Sequence, residues 1–180
     1  MTKDLSNDAR IDGLLTTTNV TTSPVVSWQS TNEIGTAVAL DVSFLSSATN
    51  GVSGFAAMDA SLQADMMIAL QNFSDVANIS FTLVAAGQGD LNFGTAHLPS
   101  TSAGFTAGVT YTGYSYYPQY ASYTNANIYL TNAFGIYDEI NVGDSSYTTL
   151  LHEIAHGLGI EHPFEGILVP NGTDNDQYTL

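Results

Sequence analysis

In AVALDVSFL, residues 37–45, apolar positions alternate with small or polar ones, so that Val38, Leu40, Val42 and Phe44 share one face. A period of two predicts a half-buried strand. NGVSG at 50–54 is turn chemistry. The period then changes: Leu62, Met66, Ala69, Leu70, Phe73, Val76 and Ala77 recur at steps of three and four. This predicts a helix of about twenty residues with one apolar stripe, its methionines filling core. ISFTLV at 79–84 alternates again, GQGD at 87–90 reads as a turn, and LNFGTAH at 91–97 and ANIYLTN at 126–132 read as further strands. A last helix is expected from about Ser145 to Leu158, capped by Asp144, Ser145 or Ser146 and ended by Gly159 in a left-handed turn.

The start of the chain is less patterned. Residues 3–15 read as a short helix, and Thr16 to Thr31 as an extended, Thr/Ser-rich connector carrying Pro24 and Trp28, the latter a core or lid contact. YTGYSYYPQYASY at 111–123 reads either as a surface loop or edge strand bearing amphipathic rings, or as an aromatic substrate rim. Helices and strands mix without regular alternation, which favours an α+β class in one domain.

Composition narrows the partners. With 44% hydrophobic residues in 180, the chain is long and apolar enough to bury a core. Against 17 Asp+Glu stand 2 Lys+Arg, a net charge of −15. Such a surface repels phosphate backbones and anionic lipid, so nucleic-acid and membrane-surface partners are disfavoured. No run is long enough to span a membrane. The N-terminus MTKDLSNDARIDG has no apolar signal-peptide core, so export is expected to proceed without a cleaved N-terminal signal. The absence of cysteine removes disulfides, thiolate zinc sites and cysteine nucleophiles.

The chemistry gathers in LLHEIAHGLGIEHP, residues 150–163, which holds three of the chain's 4 histidines. On a helix, His152 and His156 project from one face about a turn apart. Leu151, Ile154, Ala155 and Leu158 form a separate apolar face, and Glu153 lies between the two. Gly159 lets the chain turn, His162 returns as a third ligand, and Pro163 discourages the helix from resuming. The spacing H-E-x-x-H-x-x-G-x-x-H thus offers three nitrogen ligands to Zn2+ and leaves a fourth position open for water. A chance match at the chain's own residue frequencies is on the order of 10⁻⁵. Zinc lowers the pKa of bound water to about 7, and Glu153 is placed to take the proton as that water attacks a peptide carbonyl.

HEIAHGLGIEHP resembles the zinc motif of the metzincin endopeptidases, and specifically of the serralysins, secreted bacterial alkaline proteases. DARIDGLL, ALQNFSDVANISFTLV, GDLNFG and ANIYLTN occur in the serralysin order, so the resemblance runs from about residue 8 to 180. It implies a metzincin catalytic domain with a twisted, mixed, five-stranded sheet, an active-site helix, and broad endopeptidase activity on protein or peptide substrates. Its metal ligands are His152, His156 and His162, with Glu153 catalytic. It implies an extended substrate running antiparallel to an edge strand near Asp90–Thr95, with Leu91, Asn92, Phe93, Gly94 and Thr95 as backbone partners. It implies a secreted, extracellular protein whose helix at Leu5–Leu15, with the connector to residue 31, packs on the catalytic domain. His97 has no place in the motif and reads as an ordinary polar residue.

The resemblance also implies parts beyond Leu180. Metzincins carry a methionine turn beneath the zinc site, and serralysins a nearby tyrosine. None of Met1, Met58, Met66 and Met67 follows the motif. The expectation is therefore an incomplete domain spanning 1–180, truncated in its C-terminal subdomain. Calcium-binding repeats, and with them Ca2+, belong to a fuller form. Apolar surface left bare would favour association with the missing segment or another chain. Two further readings stand beside the enzyme: a non-catalytic zinc-binding module that holds a peptide or partner, and an adhesive or sugar-binding domain using the tyrosine-rich segment.

Overall fold

A computed structural model of the chain describes residues 28, 35–49, 51–98, 104–112, 122–132, 140–160, 162 and 170. The chain divides into two compact units, one of Gly35–Val109 with Asn125–Gly157, the other of Met1–Ile34, Thr110–Thr124 and Leu158–Leu180. Most described residues lie in the first. The N-terminal helix and most of the tyrosine-rich segment expected from the sequence lie outside the described residues.

The elements run β1 (Val38–Phe44), α1 (Ala60–Val76), β2 (Ile79–Leu83), β3 (Leu91–Ala96), β4 (Gly104–Thr112), β5 (Ser122–Thr131) and α2 (Ser145–Leu158). They form one five-stranded sheet in the order β2-β1-β3-β5-β4. β1 pairs in parallel with β2 and with β3, and β3 in parallel with β5. The helices and strands mix as expected of an α+β fold, and these three ladders are parallel where a mixed sheet was expected. The cause is connectivity: α1 carries the chain back between β1 and β2, and a crossover of that kind restores strand direction where a tight hairpin reverses it.

α1 starts where the Asp59 side chain accepts a hydrogen bond from the Leu62 N–H at 2.9 Å. This satisfies one of the donors left open at a helix start. Leu62, Met66, Ala69 and Leu70 are buried, and Met58 just before the helix is buried as well. The stripe stops short of its expected length. Val76 is 85% exposed and Ala77 is exposed, because the helix ends at Val76 and leaves them beyond the packed face.

The turn GQGD does not reverse the chain. Val42 of β1 is in register with Leu83 at the end of β2 and also with Leu91 at the start of β3. The connecting segment therefore steps across β1 from one neighbour to the other. Val84 N–H donates to the Val42 carbonyl at 2.8 Å, and Gly87 N–H to the Ser43 hydroxyl at 2.9 Å. A β-carbon on Gly89 would sit 2.7 Å from the Ser43 nitrogen and 2.7 Å from the Leu91 carbonyl oxygen, so the crossing requires glycine there. Ser43, Asn92 and Gly89 close the step with buried hydrogen bonds: the Ser43 hydroxyl donates to Asn92 Oδ1 at 2.6 Å, and Asn92 Nδ2 to the Gly89 carbonyl at 2.9 Å.

β3 lies at the centre of the sheet, and all six of its residues are buried. Leu91, Asn92 and Phe93 pair with β1 on one side and β5 on the other. Beyond them Thr95 bridges Ala56, and the Thr95 hydroxyl donates to the Ala56 carbonyl at 2.8 Å. The edge-strand role expected of Leu91, Asn92, Phe93, Gly94 and Thr95 is thus corrected. Their main chain is already engaged, and the ends of the sheet are β2 and β4.

Candidate metal centre

Asp144 opens α2, its carbonyl accepting from the Thr148 N–H at 3.0 Å. The buried side of the helix carries Ser146, Tyr147, Leu150, Glu153, Ile154, Ala155 and Gly157. This differs from the expected apolar face, since Leu151 and Leu158 are only half-buried while Leu150 is fully enclosed. Gly157 lets α2 lie close to the sheet: a β-carbon there would come within 2.8 Å of Ile128 Cδ1 and 3.4 Å of Leu91 Cδ2. The Asn72 amide and Tyr147 hydroxyl join α1 to α2 by a short hydrogen bond.

Against this anchored side, His152 and His156 are half-buried. Their rings meet edge-on with centroids 4.4 Å apart, and their Nε2 atoms are 2.8 Å apart. Gly159 ends the helix at φ +96°, in the left-handed region expected of it. His162 follows, also half-buried. His152, His156 and His162 each offer a ligand atom within 4.8 Å of the others, the one such group among the described residues.

Those spacings test whether a metal fits. Nitrogen ligands at about 2.0–2.1 Å around a tetrahedral zinc lie about 3.3 Å from one another. The observed 2.8 Å contact and 4.8 Å limit bracket that value, so small ring rotations suffice. Three imidazoles form a borderline donor set suited to zinc and its neighbours among the transition metals. The Nε2–Nε2 contact needs a hydrogen on one ring, and an ion binding both nitrogens takes that hydrogen's place.

Glu153 is 7% exposed and faces β4. A β-carbon built on Gly104, the first residue of β4, would lie 2.4 Å from Glu153 Cγ and 2.8 Å from Oε1. Nothing in the sequence signals this contact, since Gly104 belongs to no motif and sits far from Glu153 along the chain. His97 is exposed and stands outside the histidine group.

A helix presenting two histidines a turn apart, with a third after a glycine turn, defines a class of metal-binding hydrolase sites. Comparison with known proteins narrows that class. The chain is 35% identical over 144 residues to metallopeptidase AprA of Pseudomonas marginalis, covering 70% of this chain and 27% of that protein. It is 34% identical over 143 residues to serralysin A of Dickeya chrysanthemi, covering 77% and 29% respectively. Serralysin C of the same organism matches at 34% over 145 residues, covering 78% and 29%. No protein-family model matches the chain. Over the matched residues this is a metalloprotease sequence of serralysin type, and it spans less than a third of the length of these curated relatives.

Proposed function

We propose that the chain is the zinc-binding part of an endopeptidase that cleaves extended protein substrates. The observation that carries this reading is the convergence of His152, His156 and His162 within 4.8 Å on a helix and the turn after it. The relatives' names, metallopeptidase and serralysin, support it. His152, His156 and His162 would hold a zinc ion, which would supply Lewis acidity toward a scissile carbonyl. Glu153 accepts the proton of the attacking water and passes it to the departing amine. Its burial keeps that carboxylate out of bulk solvent, where its electrostatic influence on the reaction is stronger. Because β3 is enclosed, an extended substrate is offered a sheet edge at β4, whose first residue abuts Glu153. The protein is proposed to act outside the cell, as the serralysin resemblance implies. Among the described residues no helix is long and apolar enough to cross a membrane.

The test is zinc content by elemental mass spectrometry, together with casein digestion with and without chelator. We expect about one zinc per chain and chelator-sensitive hydrolysis. Glu153→Gln is expected to keep its zinc while kcat falls by about 10²–10⁴-fold. Full activity in that variant removes Glu153 from the chemistry. Zinc binding with no hydrolysis by the unaltered protein favours a non-catalytic binding module.

A further inference from the structure

Gly104 begins β4, the terminal strand of the sheet, and its Cα faces the side chain of Glu153. A β-carbon at this position would lie 2.4 Å from Glu153 Cγ, 2.8 Å from Oε1 and 2.9 Å from Cδ. Non-bonded carbon atoms settle at about 3.5–4.0 Å, so alanine and glutamate cannot share this space as it stands. The backbone of Gly104 lies outside the left-handed region, so glycine is required for room and not for its φ. Several other close approaches to glycines in this protein meet different surroundings. At Gly157 the nearest atom is the tip of Ile128, which can swing away. At Gly104 the obstacle is most of one carboxylate side chain, and that side chain is only 7% exposed.

We propose that Gly104 is a positioning residue for Glu153: by lacking a side chain, the first residue of β4 leaves the space in which the carboxylate is held. The proposal rests on the endopeptidase reading for its catalytic consequence, but the packing claim stands by itself. Any side chain at 104 forces Glu153 into another rotamer, away from where α2 presents it. A displacement of about 1 Å in a reacting group is enough to cost on the order of 100-fold in rate. The three atoms nearest that space all belong to Glu153, so the substitution is expected to act on the carboxylate and leave zinc binding in place.

The experiment is a double-mutant cycle in the full chain, with Gly104→Ala, Glu153→Ala and the two combined. Thermal unfolding is followed in chelator, so that neither metal nor turnover enters the readout. Gly104→Ala alone is expected to lower the Tm by about 3–8 °C. In the Glu153→Ala background the same change is expected to cost little, because the obstructing side chain is gone. Equal losses in both backgrounds, or failure of both Gly104→Ala proteins to fold, overturn the proposal. In the zinc-loaded protein, Gly104→Ala is expected to keep its zinc and its KM while kcat drops about 10- to 100-fold. An unchanged kcat overturns the positioning role. If the unaltered protein binds zinc but cleaves nothing, only the endopeptidase reading fails, and the thermal cycle still decides whether Gly104 makes room for Glu153.

Discussion

Glu153 is 7% exposed, while the histidines one position before it and three after it are half-buried. One turn of helix thus carries a shielded carboxylate beside two accessible imidazoles. The third imidazole comes from outside the helix, beyond Gly159, and its loss tests the group directly. His162→Ala is expected to weaken zinc binding by at least about 100-fold with helix content unchanged, read by competition with a chromogenic chelator and by circular dichroism. Retention of tight binding would mean that His152 and His156 suffice or that another ligand serves. The grouping of the three histidines is legible in the sequence because its geometry is local: helical spacing and one glycine turn fix it, whereas the burial of Glu153 against β4 is not local. Gly104 was not legible, since its neighbour across space lies in another element and no spacing rule joins a strand's first residue to a distant helix.

At the scale of elements, the glycine-rich step between β2 and β3 is closely confined by backbone atoms of β1 and β3. Gly89→Ala places a β-carbon 2.7 Å from backbone atoms of both β1 and β3, which cannot swing aside as a side chain can. We expect a loss of about 1–3 kcal/mol, measured as a lower urea midpoint with unchanged m-value. Equal stability would mean that the crossing relaxes freely. Hydrophobic period located β1, α1, β2, β3 and α2 within a few residues. The edge position expected for β3 came from the serralysin resemblance, and the sheet order places the strand at the centre instead. LNFGTA carries its polar residues Asn92 and Thr95 on opposite faces of the strand, so neither face is wholly apolar. In the fold those side chains are buried and satisfied, Asn92 by Ser43 and Gly89, Thr95 by Ala56. Polar side chains do not by themselves mark an exposed strand, because a central strand can satisfy them with internal hydrogen bonds.

Over the whole molecule, 17 acidic side chains face 2 basic ones. Their mutual repulsion opposes compaction, and salt screens it: the Debye length falls from about 30 Å at 0.01 M to about 3 Å at 1 M. The Tm at fixed metal loading is therefore expected to rise as sodium chloride increases over that range. A flat or falling midpoint would mean that the acidic groups are spaced widely enough not to strain the fold. The class of helices and strands was readable from the chain, whereas the order of strands was not, because that order is set by crossings between remote segments.

The same crossings bear on how the protein reaches its native state. Val38 pairs with Ile79, Val42 with Leu91, and Leu91 with Ala126, so none of these ladders can form as a local hairpin. Each demands closure of a long stretch of polypeptide before any reward is collected, which places the protein among slow folders. Nascent chains will accordingly linger with unpaired strands, a window in which self-association competes with productive assembly.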